Sequence, residues 1–284
     1  MSKIMITGAT GAVGTKLSSY LRTIGHQIIP VALMPHNGVI AADLRNEATI
    51  LRLVKDYTPD LILHLAAITD LNFCEQHQTE THITNYGITE ILTKVCLKFR
   101  IRMLFFSSDY VFGKYDHYWQ EDDLPCPTTQ YGSDKAASEK IIQERLTNYA
   151  IVRTAQLYGF TKDFVSLVYN TLRSKQEFRA FANLVNCPTW IGDLFPMVNT
   201  IITNNLEGIF HCVGPEALSR YQYACVIATG FNLDISYIKP INLDFAIDIR
   251  PHIVRLNGTS TYKILQISPN KLQDNLHFCF PYIN

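Results

Sequence analysis

KIMITGATGAVGTKLSSYLRTIGHQIIPVAL, residues 3–33, decides how the chain folds. Lys3–Thr7 is a short apolar run. Val13, Leu17, Tyr20 and Leu21 then recur at helical spacing, Gly25 closes that helix, and HQIIPVAL is a second apolar run. The order strand, turn, helix, strand is a β-α-β unit. Gly8, Gly11 and Gly14 stand in its turn as G-x-x-G-x-x-G. Glycine permits a tight turn and lets the backbone approach a pyrophosphate at a helix N-terminus, where N–H groups and the dipole favour negative charge. A plain tight strand–helix turn would need similar glycines; the position after the first strand of a β-α-β unit favours the nucleotide site. Gly8, Thr10, Gly11, Ala12 and Val13 are its expected residues.

The alternation continues outward. Thr49–Tyr57 reads as a helix, DLILHLAA as a buried strand, and Thr81–Phe99 as a long helix. RMLFFSS is the next strand, Tyr131–Leu146 a helix, and YAIVRTAQLYG a strand with its exit loop. Strands alternating with helices predict an α/β fold with a Rossmann-type, doubly wound parallel sheet covered on both faces. Beyond residue 155 the alternation loosens, with GIFHCVG a strand and Ser219–Thr229 a helix. Residues 1–154 are expected to form the dinucleotide-binding domain. Residues 155–284 are expected to form a smaller substrate-binding lobe, with an interleaved boundary.

Composition narrows the class. The 284 residues are 47% apolar and carry a formal charge of zero, so nothing electrostatic points to nucleic acid or an anionic membrane surface. RSKQEFR at 173–179 is the densest basic run and reads as a solvated helix end. No apolar run reaches the roughly 18 residues that span a bilayer, and the N-terminus lacks the apolar segment of a signal peptide. Seven cysteines without a C-x-x-C pair predict reduced thiols and a cytoplasmic protein. His77 and His82 are five apart, one residue off a helical ligand pair, and no metal site is expected.

Two further segments suit a dinucleotide. Asp43-Leu44 follows the second strand; its carboxylate fits an adenine amino group or, equally, a helix N-cap. Leu65, Ala66 and Ala67 end the third strand in small residues, which suits close passage of a ligand or tight packing. At the end of the second strand, Val31-Ala32-Leu33, there is neither an acid for the ribose hydroxyls nor an arginine for a 2′-phosphate. Without a repelling carboxylate NADPH is favoured, with NADH as the second choice.

Tyr131 and Lys135, in TQYGSDKAASEK, are one helical turn apart and share a face. Free tyrosine titrates near ~10. A neighbouring ammonium lowers that value and makes Tyr131 a competent acid or base, while Lys135 also suits the nicotinamide ribose. Ser107-Ser108 ends the preceding strand, at the ligand-binding edge of a parallel sheet. Singly, such residues are often a packed aromatic, a solvated charge or a turn cap; the ordered set of glycine turn, strand-end serine and Y-x-x-x-K is much harder to obtain by chance.

ITGATGAVG, DLILHLAAITD, FFSSDYVFGKY, EDDLPCPTTQYGSDKAASEK and IVRTAQLYG together resemble the extended short-chain dehydrogenase/reductases and, within them, the dTDP-4-dehydrorhamnose reductases. NLVNCPTWIGDL and IRPHIVRL extend the likeness, more faintly, past residue 180. The resemblance implies NADPH-dependent reduction of a nucleotide-linked 4-keto-6-deoxysugar, with Ser108, Tyr131 and Lys135 catalytic and Tyr131 the proton donor. It implies that Thr69, Asp109, Tyr110 and Gln156 line the sugar. Arg250 would lie near the substrate diphosphate, or else form a surface ion pair. Asn85 matches an asparagine that supports the lysine through water, and otherwise reads as a polar residue on a packed helix. Gln156 stands where the family often has tryptophan, which leaves room for a combined epimerase and reductase or for another 4-keto sugar. Lys16 replaces a glutamate that ligates a bridging magnesium ion in some members, so a monomer or weak homodimer is expected. The regulatory subunit of methionine adenosyltransferase resembles the same family, which keeps a non-catalytic binding role as an alternative.

Overall fold

Lys3–Thr7 forms β1, and its residues Ile4 to Thr7 are shut away from solvent. The reason is its place. β1 pairs in parallel with β2 (Gln27–Ala32) on one side and β4 (Leu61–His64) on the other, with Met5 opposite both Ile29 and Ile62. A strand between two parallel neighbours is covered on both faces and must be apolar on both. With β3 (Ile40–Ala41), β5 (Arg102–Ser108), β6 (Tyr149–Thr154) and β7 (Gly208–His211), these strands make a seven-stranded sheet in the order β7-β6-β5-β4-β1-β2-β3. The computed structural model describes residues 1–244 and 248–283.

The strand order reverses between β1 and β4, the crevice where open α/β sheets bind ligands. Helix α1 (Ala12–Thr23) follows β1 and α2 (Glu47–Tyr57) follows β3. After β4 come α3 (Leu71–Gln76), α4 (Gln78–His82) and α5 (Ile88–Phe99), the last two joined through one wider, π-type turn over Ile83–Gly87. The long helix expected from residue 81 therefore starts three residues earlier and contains an irregular turn. Such turns insert a residue into the helical ladder and re-aim the side chains around them. Helix α6 (Gln130–Arg145) begins at Thr129, whose hydroxyl accepts from the Gly132 N–H at 3.0 Å.

The chain divides into two compact units, each assembled from several segments. The first takes residues 1–111, 129–152 and 199–209, the second 112–128, 153–198 and 210–284. The first buries Met5, Ile29, Ile62, Leu92, Met103 and Ile151 among the residues of one apolar core. Its buried Arg102 guanidinium donates to the Ile201 and Ile202 carbonyls at 3.2 and 3.3 Å. Carbonyls in the last turn of a helix lack intrahelical partners, so a cation satisfies them where water does not reach.

The second unit packs α8 (Arg220–Gly230) against α7 (Phe164–Arg173) and α9 (Leu272–Ile283) around Tyr158, Val168, Tyr223 and Ile227. Asp163 caps α7, and Ser219 with Gln222 caps α8 reciprocally. In the same unit the buried Arg153 lies over the Phe112 ring and donates to Glu121 O and His211 Nε2 at 3.1 and 3.2 Å. All seven cysteines are free thiols. Among the described residues no helix is long and apolar enough to cross a membrane.

Candidate active site

The glycine turn is shaped by excluded volume. A Cβ on Gly14 would stand 2.2 Å from the Gly8 carbonyl oxygen, and one on Gly8 2.8 Å from the Ala66 backbone, with Gly8 already at φ +68°. No other residue fits either place. Helix α1 starts next to this turn with Gly11 as its cap, no side chain satisfying that end and no carboxylate in the first turn. Thr10, Gly11 and Ala12 are exposed and Val13 half-buried. Such an end offers N–H groups and a positive dipole to an anion. Both features fit a dinucleotide pyrophosphate.

The exit of β4 is fixed against this turn. Thr7 Oγ1 accepts from the Leu65 and Ala66 N–H groups at 3.2 Å and meets His64 Nδ1 at 2.7 Å. Thr89 spends its one proton on the Asn85 carbonyl, so His64 Nε2 must donate to Thr89 Oγ1, 3.1 Å away. His64 Nδ1 is then the acceptor for Thr7. Burial first, and the charge of Lys135 second, push the imidazole down to about 3, so it stays neutral. The π-type turn presents Asn85, whose Oδ1 accepts from Ile68 N at 2.7 Å and whose Nδ2 donates to Ile68 O at 3.0 Å. Asn85 thus holds the segment Leu65 to Thr69 by its backbone, and Thr69 is exposed beyond it. The sequence singles out Asn85 but not His64 or Thr7, although a histidine closing the apolar run LILH is a visible signal.

Ser108, at the end of β5, donates to Asp109 Oδ1 at 2.9 Å and accepts from Tyr110 N at 3.2 Å. Gly132 gives α6 its close approach, since a Cβ there would lie 2.1 Å from the Tyr110 carbonyl oxygen. Tyr131 is half-buried, edge-on to the Tyr110 ring. Lys135, 3% exposed, donates to the Phe106 carbonyl at 2.8 Å and lies 4.5 Å from the centre of the Phe105 ring and 5.9 Å from that of Tyr131. Its burial lowers the ammonium to about 8, against the attraction of Glu139 and Asp134. The phenol of Tyr131 moves the other way from the expected one. Burial and then the Asp109 carboxylate raise it above its ordinary value, and only a hydrogen bond with Ser108 pulls it down. Lys135 gives its hydrogen bond to the Phe106 carbonyl, and desolvation sets the direction of the phenol's shift. A phenol so placed stays protonated at neutral pH.

The remaining expected residues are each engaged locally. Asp43 takes a bidentate pair from Arg45, while Leu44 is buried in the core. The cap of α2 is Asn46, which accepts from Ala48 N at 2.9 Å, so the capping alternative for Asp43 does not hold. In the second unit Gln156, at φ +29°, is hydrogen-bonded through Oε1 to Arg220. There too Arg250 grips Asp248 through Nε and Nη2 at 2.8 and 2.5 Å and lies over the Phe181 ring.

Known proteins carry the same architecture. The chain is 27% identical over 250 residues to methionine adenosyltransferase 2 subunit beta of Xenopus laevis, covering 84% of this chain and 75% of that one. It is 27% identical over 268 residues to dTDP-4-dehydrorhamnose reductase of Shigella flexneri, covering 89% of both. The crystal structure of dTDP-4-dehydrorhamnose reductase from Bacillus anthracis in complex with NADP superposes with a TM-score of 0.88, over 99% of this chain and 98% of that one, at 24% identity. The family described as RmlD substrate binding domain matches residues 2–281. The chain belongs to that family, within the extended short-chain dehydrogenase/reductases.

Proposed function

We propose that the protein reduces the 4-keto group of a nucleotide-linked 4-keto-6-deoxysugar with NADPH, Tyr131 donating the proton. The observation that carries this reading is the protonated phenol beside a strand-end serine and a buried lysine. Reduction turns a carbonyl oxygen into an alkoxide, a base strong enough to take a proton even from a phenol of raised pKa. The cofactor supplies the hydride. Ser108 orients the carbonyl, and Lys135, with two N–H groups beyond the one given to Phe106 O, steadies the phenolate that Tyr131 leaves and suits the nicotinamide ribose. The glycine turn, with its open helix end, suits the pyrophosphate. Asp109, Tyr110 and Thr69 are assigned to the sugar, and Gln156 and Arg250 to the wall and diphosphate of the substrate.

The likeness to a methionine adenosyltransferase subunit supports a second reading, a fold that acts by binding a partner. Incubation with NADPH and a dTDP-4-keto-6-deoxysugar separates the two. The reductase reading expects NADPH consumption in step with sugar reduction. A protein that binds NADPH yet turns over no 4-keto nucleotide sugar is not this reductase. The stereochemistry of the product distinguishes simple reduction from reduction with epimerisation.

A further inference from the structure

The glycine turn and helix α6 are far apart in the sequence, yet one run of buried hydrogen bonds joins them. Thr7 is the last residue of β1, directly before Gly8, and its Oγ1 accepts from the Leu65 and Ala66 N–H groups at 3.2 Å. The Ala66 backbone is also what a Cβ on Gly8 would strike, so Thr7 fixes the floor on which the glycine turn rests. Accepting on that side, the Thr7 hydroxyl turns its one proton to His64 Nδ1, 2.7 Å away. His64 Nε2 donates in turn to Thr89 Oγ1 at 3.1 Å, and Thr89 to the Asn85 carbonyl at 2.9 Å. The same carbonyl accepts from Ser138 Oγ of α6 at 3.3 Å. Ser138 stands three residues beyond Lys135, a neighbour on the helix surface.

Thr7, His64, Thr89 and Ser138 are 0% exposed and Asn85 1%. A buried polar group that loses its partner is costly, so each link holds the next in place. A neutral imidazole suits the middle position, because it sets an acceptor and a donor on opposite sides of one rigid ring. A charged ring would present two donors, one of them to a Thr7 proton. Burial keeps the ring neutral, and the charge of Lys135, felt at the ring, acts in the same sense. Thr7, His64 and Thr89 have no part in the contacts assigned to cofactor or sugar, and burial keeps them from both.

We propose that His64 is a positioning residue that locks the Tyr131–Lys135 turn of α6 to the glycine turn, so that a pyrophosphate bound at the one steadies the other. The inference rests on the cofactor reading above. It is tested by amide hydrogen exchange on the wild-type protein, His64→Leu and Thr89→Val, each with and without saturating adenosine diphosphate. That probe carries the pyrophosphate but lacks the nicotinamide ribose assigned to Lys135, so any effect on α6 must pass through the protein. In the wild type it should slow exchange across residues 131–138 by about threefold or more. His64→Leu fills much of the space and removes both ring hydrogen bonds; it should still bind the diphosphate, and the slowing should be lost. Thr89→Val cuts the run at its next link with no change of shape, should give the same result, and decides the matter if the leucine variant does not fold. Slowing that survives in either folded variant, or none in a wild-type protein that binds the diphosphate, would overturn the inference while leaving the dinucleotide site standing. Loss of diphosphate binding in both variants would make the run a support of the glycine turn alone, and would overturn it too. Failure of the wild-type protein to bind the diphosphate would overturn the cofactor reading and this inference together.

Discussion

The glycine turn at residues 8–14 and the Tyr131–Lys135 turn of α6, both assigned to the proposed reductase site, are built by opposite means. In the first, backbone packs on backbone, and Gly8 and Gly14 are required because a single carbon would collide with the Ala66 main chain or the Gly8 carbonyl. In the second, the backbone is an ordinary helix start, and the chemistry comes from taking a phenol and an ammonium out of water. The first region is a matter of shape, and Gly8 and Gly14 leave no room for another residue. The second is a matter of charge; on the proposed mechanism its side chains are replaceable for folding and not for function.

That contrast is open to attack at its strongest point. Tyr131→Phe keeps the ring against Tyr110 and removes only the hydroxyl. Turnover should fall by roughly 10²- to 10⁴-fold with NADPH affinity and thermal midpoint little changed. Lys135→Ala should lower turnover and cofactor affinity together. Near-normal turnover in Tyr131→Phe would reduce the pair to packing.

Gly14→Ala probes the other region. Its added carbon meets backbone, which cannot swing aside, so the cost should be about 3 kcal/mol of stability, read by denaturant unfolding, with dinucleotide binding weakened in parallel. An alanine variant as stable as the wild type would show that the turn relaxes, and the contrast would lose its basis.

The smallest effect is a pair of opposed pH trends. The ordinary pKa of Lys135, 10.5, is lowered to about 8 in the folded chain. Between these values the unfolded state holds more protons, so this residue makes stability rise with pH across the window, and its burial penalty is complete below about 8. The proposed mechanism needs the ammonium, so turnover should fall above pH 8, by about tenfold per unit once the group is mostly neutral. Lys135→Met should flatten the stability trend. Stability and turnover moving in the same direction from pH 8 to 10 would contradict the assignment.

The sequence and the structure agree where physical constraint acts on short, contiguous stretches. β1 is legible because a doubly covered strand must be apolar throughout, and the turn after it because three glycines stand at fixed offsets. Ser108, Tyr131 and Lys135 stand in the sequence as an ordered set, and the structure puts the first at the end of β5 and the other two on α6. The π-type turn is not legible, since one extra residue in a ladder leaves the apolar spacing on either side intact. Nor are the two-residue strands, β3 among them, because alternation needs more residues than they have. The direction of the Tyr131 shift is hidden for a different reason: spacing reports which groups are neighbours but not how much water each has lost. The assembly of each unit from separate segments likewise has no local signature, for 112–128 and 199–209 look like any connection.

The short β3 has one more consequence. A sheet edge is a row of unsatisfied N–H and C=O groups that a strand from another chain can extend, the first step of edge-to-edge aggregation. This sheet ends in strands of two and four residues, Ile40–Ala41 and Gly208–His211, so its margins present few such groups. The two-residue β3 is therefore also a guard, closing a seven-stranded sheet with a template too short to recruit a foreign strand.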